Sequence, residues 1–189
     1  QYIKSKLNTE DPIFFSDVGG SHGLANNGIH ATDLFAFYDG GTEIQLVGAQ
    51  VFPHLLPSKR GSEVFDLKGS IYGTSAKGSD FVVSLSGDHV SPDIISIISP
   101  RGRFIVDHFH KFALESYPET NWQWKSIPIN EDWAVSHMTK KFVSDLLTKG
   151  SCLLPTLAEC FPAHEFILNA LLPHFNQLRR RNDSYCPVT

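Results

Sequence analysis

The sequence predicts an α+β domain: a large, mostly antiparallel or mixed open sheet with helices packed on one face. Three observations predict it. An apolar helical pattern follows a glycine-rich loop near residue 30. Six segments rich in β-branched and aromatic residues then succeed one another between residues 42 and 129, separated only by turn signals. Helical periodicity returns after residue 135. Strands that follow each other without intervening helices build meanders, not doubly wound parallel sheets.

"QYIKSKLN" places Tyr2, Ile3 and Leu7 at helical spacing, and "PIFFSDV" from Pro12 reads as a strand. "GGSHGLANNGIHATDLFAFYDGG", Gly19 to Gly41, is a polar glycine loop running into a helix expected to begin near Asn26 or Asn27, either a good N-cap. The strand segments are "TEIQLVGAQVF", "FDLKGSIYGTSA", "SDFVVSLSG", "DIISIISP", "RFIVDHFH" and "NWQWKSIPI". Period two puts Phe81, Val83 and Leu85 on one face, and Phe104, Val106 and His108 on one face of another strand. Val135, Met138, Phe142, Leu146 and Leu147 recur on one helix face, with Gly150 as its stop. The last helix opens with Thr156 and Glu159 in capping-box spacing, and Pro162 is expected to kink it. "RRR" at Arg179 to Arg181 reads as a solvated helix end at the start of a polar tail, residues 179–189.

A chain of 189 residues suits one domain. With 41% hydrophobic and 19% charged residues it can bury a core, and a net charge of -4 argues against nucleic acid as a partner. Three widely spaced cysteines, Cys152, Cys160 and Cys186, make neither a disulfide framework nor a metal knuckle, which points to a reducing compartment, the cytoplasm. No apolar run is long enough for a membrane span, so no membrane partner is expected.

Several chemistries lack their motif. No GxGxxG follows a strand and no GxSxG elbow is present. "GTSAKGS" from Gly73 has P-loop glycine spacing but Ser79 at the lysine position, so it reads as a hairpin turn. "HEFIL" from His164 lacks the second zincin histidine. His108 and His110 alternate on a predicted strand with Asp107 opposite, two ligands without a third. No metal is expected, although a loop folded back could bring His22, His30 and Asp33 together.

Residues three and four apart share a helix face, so Asn26, His30 and Asp33 project together, with Leu34 and Phe37 turned partly towards the core. The helix dipole lowers the proton affinity of an imidazole near the first turns, and the Asp33 carboxylate raises it. A histidine balanced in this way can give or take a proton. The alternative is a capped core helix with His30 as a hydrogen-bonded surface residue.

"NNGIHATDLFAFYDGG" at the start of a long sheet, "IISPRGRFIVD" later and "PTLAECFPAHEFILNAL" near the end resemble the C-terminal domain of the Gfo/Idh/MocA oxidoreductases, over Tyr2 to about Phe175. The resemblance implies a substrate-binding and dimerising domain for hydride transfer between NAD or NADP and a sugar or polyol hydroxyl carbon. It implies that residues 1–10 are the tail of a hinge from a nucleotide-binding Rossmann domain. It implies that His30 is the catalytic acid/base or positions the reacting hydroxyl, that Asn26, Asn27 and Asp33 bind substrate, and that homodimers form through the sheet face. The family's aspartate four residues before the histidine is Asn26 here. The glycine fingerprint is absent from these residues, so this chain alone is not expected to bind NAD(P) tightly. The second reading is a non-catalytic scaffold that keeps the fold; the third is a metal-dependent carbohydrate binder using His22 and His30.

Overall fold

The computed structural model describes residues 1–41, 43–58, 61–129 and 135–188, without the side chains of 135–138. A short helix α1, Tyr2–Lys6, precedes strand β1, Phe14–Gly19, and helix α2, Leu24–Asp39. Strands β2 (Ile44–Val51), β3 (Leu56–Pro57), β4 (Phe65–Asp66), β5 (Gly69–Ser75) and β6 (Asp80–Leu85) come next. They are followed by β7 (Ile94–Ser99), β8 (Gly102–Asp107), β9 (Phe112–Ser116) and β10 (Lys125–Pro128), then helices α3 (Val135–Lys149) and α4 (Leu157–Arg179).

Eight strands form one open sheet in the order β10-β9-β8-β7-β1-β6-β5-β2, and β3 pairs with β4 apart from it. Only β1 and β6 run parallel within this sheet; its other neighbours are antiparallel. This is the mixed sheet the strand succession predicts. Period-two alternation turns Phe15, Phe81, Ile71 and Ile97 inward, all fully buried. Helices α2 and α4 cover that face. Phe15, Phe35 and Phe81 meet with centroids 5.3 to 5.9 Å apart, and Phe166 of α4 joins Phe81 at 5.8 Å. Gly28 lets the helices approach: a Cβ there would lie 3.2 Å from Ile167 Cδ1. The opposite sheet face exposes Phe14, Val18, Tyr72, Ile94 and Ile98.

Three features differ from the sequence reading, the first being β9, Phe112–Ser116, in a stretch read as no strand. Helix α2 starts at Leu24, with Gly23 as N-cap, so neither Asn26 nor Asn27 caps it. Strand β8 ends at Asp107, and His108 to Lys111 form a turn in which Asp107 Oδ2 meets His110 Nδ1 at 2.7 Å. The two histidines therefore do not alternate on a strand. Helix α4 contains Pro162, as read from the sequence, and Pro173 as well.

Other expectations hold. The Thr156–Glu159 capping box is complete. Gly40 ends α2 at φ 72°, a left-handed conformation that glycine adopts without strain. "GTSAKGS" is the β5–β6 hairpin, where Lys77 pairs with Asp39 at 3.0 Å and Ser79 donates to the same carboxylate. The C-terminal segment folds back on the domain. Arg179, read as solvated, has its side chain 8% exposed, lies over the Phe65 ring and pairs with Asp183. Pro187 O accepts from Phe65 N. Helix α3 forms where expected; Val135 and Met138 of its predicted stripe lie outside the described side chains, and Val143, Leu146 and Leu147 are exposed.

Candidate functional site

Strand β1 delivers the chain to one end of the sheet, where β6 and β8 also end and β5 and β7 begin. Histidines and carboxylates gather there. The loop Gly19–Gly23 turns the chain back into α2, packed tightly against its neighbours. A Cβ on Gly19 would lie 1.8 Å from Asp93 Oδ1, and one on Gly23 2.1 Å from Asp66 Oδ2. Both glycines are therefore needed for close approach of a carboxylate.

Asp66, forty-two residues after Leu24, supplies the cap that α2 lacks locally. Its Oδ1 accepts from Ala25 N at 2.8 Å, Asn26 N at 3.3 Å and Leu67 N at 2.8 Å, and its Oδ2 accepts from Asn26 Nδ2 at 2.9 Å. A carboxylate at this point faces the positive end of the helix dipole. The same arrangement tests whether α2 could cradle a dinucleotide pyrophosphate. It does not fit: a buried anion already occupies the amides a phosphate would use.

The four sequence-derived site residues part company. Asn26 is half-buried; its amide is committed to Asp66, and its Oδ1 is buried without a partner. Asn27 is half-buried in the first turn of α2, and His30 is exposed on the helix surface. Asp33 Oδ2 lies 3.5 Å from His164 Nε2 of α4. Burial raises the Asp33 carboxyl above its ordinary range, against the opposing attraction of His164 and His30. Phe37, expected to turn partly inward, is exposed on the His30 face. His22 does not join His30 and Asp33; among the described residues no set of three such side chains could hold a metal ion.

Sequence reasoning missed Asp66, Asp93 and Asp17. His22 Nδ1 meets Asp93 Oδ2 at 2.6 Å. Asp93 is 5% exposed and Asp17 9%, and one oxygen of each is buried without a hydrogen-bond partner. Burial, reinforced by the Asp93 charge, pushes the Asp17 carboxyl up to about 7. The available signal was an acidic residue inside an otherwise apolar strand, "FFSDV". A separate groove of about 450 Å³ opens at this end of the sheet, lined by residues including Phe52, Lys68, Ser84 and His89; none of the four predicted residues lines it.

No family model and no curated protein matches the sequence. Solved structures do match in fold. Levoglucosan dehydrogenase in complex with NADH superposes with a TM-score of 0.67 at 11% identity, over 94% of this chain and 59% of that one. An oxidoreductase from Erwinia carotovora atroseptica gives 0.62 at 12% identity, over 96% and 58%. UDP-N-acetylglucosamine 3-dehydrogenase from Acidithiobacillus ferrooxidans gives 0.61 at 12% identity, over 95% and 56%. The chain thus has a fold found in oxidoreductases of the type its sequence resembles, and it spans somewhat over half the length of those three chains.

Proposed function

We propose that this chain is the substrate-binding and dimerising domain of an oxidoreductase that moves a hydride between NAD or NADP and a sugar or polyol hydroxyl carbon. The observation that carries the reading is the placement of His30 and Asp33 on the outward face of α2, in a fold shared with sugar dehydrogenases. His30 meets the substrate as acid/base or as the group that positions its hydroxyl. Asp33, Asn27 and the backbone around Asn26 supply further polar contacts. The dinucleotide is held outside this chain, since Asp66 fills the α2 N-terminus. The exposed sheet face, with Phe14, Ile94 and Ile98, is the proposed homodimer surface. Cytoplasmic location remains part of this reading; among the described residues no helix is long and apolar enough to cross a membrane.

The test is turnover by the full-length enzyme with NAD and NADP against sugars, polyols and nucleotide sugars. His30→Ala should lower kcat/KM by about 10²-fold or more, the range for a lost acid/base or a mispositioned reactant. Turnover unchanged by that substitution removes His30 from the site. A second reading, a scaffold without chemistry, is favoured by one observation: Asn26 replaces the acidic residue of the resemblance, and its amide serves Asp66 instead of His30. Full-length protein that turns over no substrate but forms the dimer would support it.

A further inference from the structure

A second histidine, held in place by a buried carboxylate, stands eight residues before His30. Among the described residues no hydrogen bond orients the His30 ring. His22, one residue before the α2 N-cap, is held on two sides. Asp93 Oδ2 takes its Nδ1 at 2.6 Å, and the Phe109 ring lies against it at 5.6 Å between centroids. Ser21 Oγ stands 3.3 Å from the same nitrogen. Nε2 has no hydrogen-bond partner among the described residues, and the side chain is 32% exposed. Phe109 is 51% exposed beside it, on the turn after β8.

This geometry has a definite chemical sense. A carboxylate accepts only, so Nδ1 must carry the proton, and the neutral ring then presents its lone pair at Nε2. Asp93 is buried, and its second oxygen is unpartnered. Burying an ion is costly unless it is paired and hydrogen-bonded, and His22 Nδ1 supplies that bond here. Gly19 is required for the carboxylate to sit there, because any Cβ would collide with Asp93 Oδ1. An acceptor nitrogen beside an exposed aromatic ring matches a sugar: one hydroxyl to accept from, and an apolar C–H face to lay on the ring.

We propose that His22 and Phe109, with Asp93 as the positioning residue, form a binding subsite for a hydroxylated ring, in which Nε2 accepts the hydrogen bond of a substrate hydroxyl. The inference rests on the sugar or polyol reading above and deepens it.

The experiment uses the full-length protein saturated with NADH, and levoglucosan, myo-inositol and UDP-N-acetylglucosamine as probes in calorimetric titrations. Nitrogen-15 NMR of the ring at pH 8 reads the tautomer without ligand. The expected spectrum shows Nδ1 protonated and Nε2 bare, with this preference lost in Asp93→Asn. His22→Phe should weaken binding of the recognised probe about 5- to 10-fold, the value of one hydrogen bond. Phe109→Ala, which leaves the His22–Asp93 pair in place, should weaken it several-fold and keep the tautomer. The opposite tautomer overturns the inference, as does wild-type binding that His22→Phe and Phe109→Ala leave unchanged. Wild-type protein that binds none of the probes overturns the sugar reading and this subsite with it, an outcome distinct from the other two.

Discussion

Replacing Asp17 by Asn should stabilise the chain at alkaline pH and leave it nearly unchanged in acid. Asp17 sits on the helix-facing side of β1, opposite Val83 and Ile95, with one oxygen buried and unpartnered. Desolvation, then the Asp93 charge, pushes its carboxyl from 3.8 up to about 7. Below pH 3.8 both folded and unfolded chains carry the proton, and Asp17 costs nothing. Between 3.8 and about 7 the unfolded chain ionises while the folded chain keeps its proton, so stability falls as pH rises. Above about 7 the full cost is present. At 1.36 kcal/mol per pH unit, that gap amounts to about 4 kcal/mol. Asparagine has the shape of the protonated acid and no charge to desolvate. Differential scanning calorimetry at pH 4 and pH 8 measures the difference. Asp17→Asn should raise Tm by on the order of 10 °C at pH 8 and by no more than about 2 °C at pH 4. A Tm difference equal at the two pH values would show that burial of the Asp17 charge is not what costs stability, because only the charged state is penalised.

Three further substitutions follow from the geometry. Asp66→Ala removes the acceptor of Ala25 N, Asn26 N and the Asn26 side-chain amide at the α2 terminus and of Leu67 N beside it, and should cost about 2–4 kcal/mol in urea unfolding. Thr156→Ala breaks the exposed capping box of α4 and should cost about 1 kcal/mol by the same measurement. Ile98→Asp places a charge in the exposed apolar face of the sheet and should convert the proposed dimer to monomer in light scattering without changing the circular dichroism.

Much of the fold was legible because hydrophobic period is a local property. The strands around Phe81 and Val83 alternate in sequence as they do in the sheet, and the Thr156–Glu159 box spans only three residues. Where sequence reasoning erred, a distant partner had overridden a local preference. Asn26 is a good cap by propensity, yet Asp66 bonds the α2 amides from another strand and moves the helix start to Leu24. His108 and His110 read as strand residues, yet the Asp107–His110 bond closes a turn there. The candidate site divided along the same line. The placement of His30 and Asp33 on one outward α2 face could be read from helical spacing. The pairing of Asp33 with His164, and of His22 with Asp93, could not, because the partners lie 131 and 71 residues apart in the chain.

Local pattern along the chain was enough for the class of fold, most of the strands and the cap of the last helix, all set by neighbours within a few residues. The parallel pairing of β1 with β6 in the middle of the sheet, which brings Asp17 beside Asp93 and His22, is set by packing between distant segments. The reason is physical. A period of two or 3.6 fixes which way a side chain points, but the charge it meets there is set by strand order, and strand order is chosen by burial of the whole sheet.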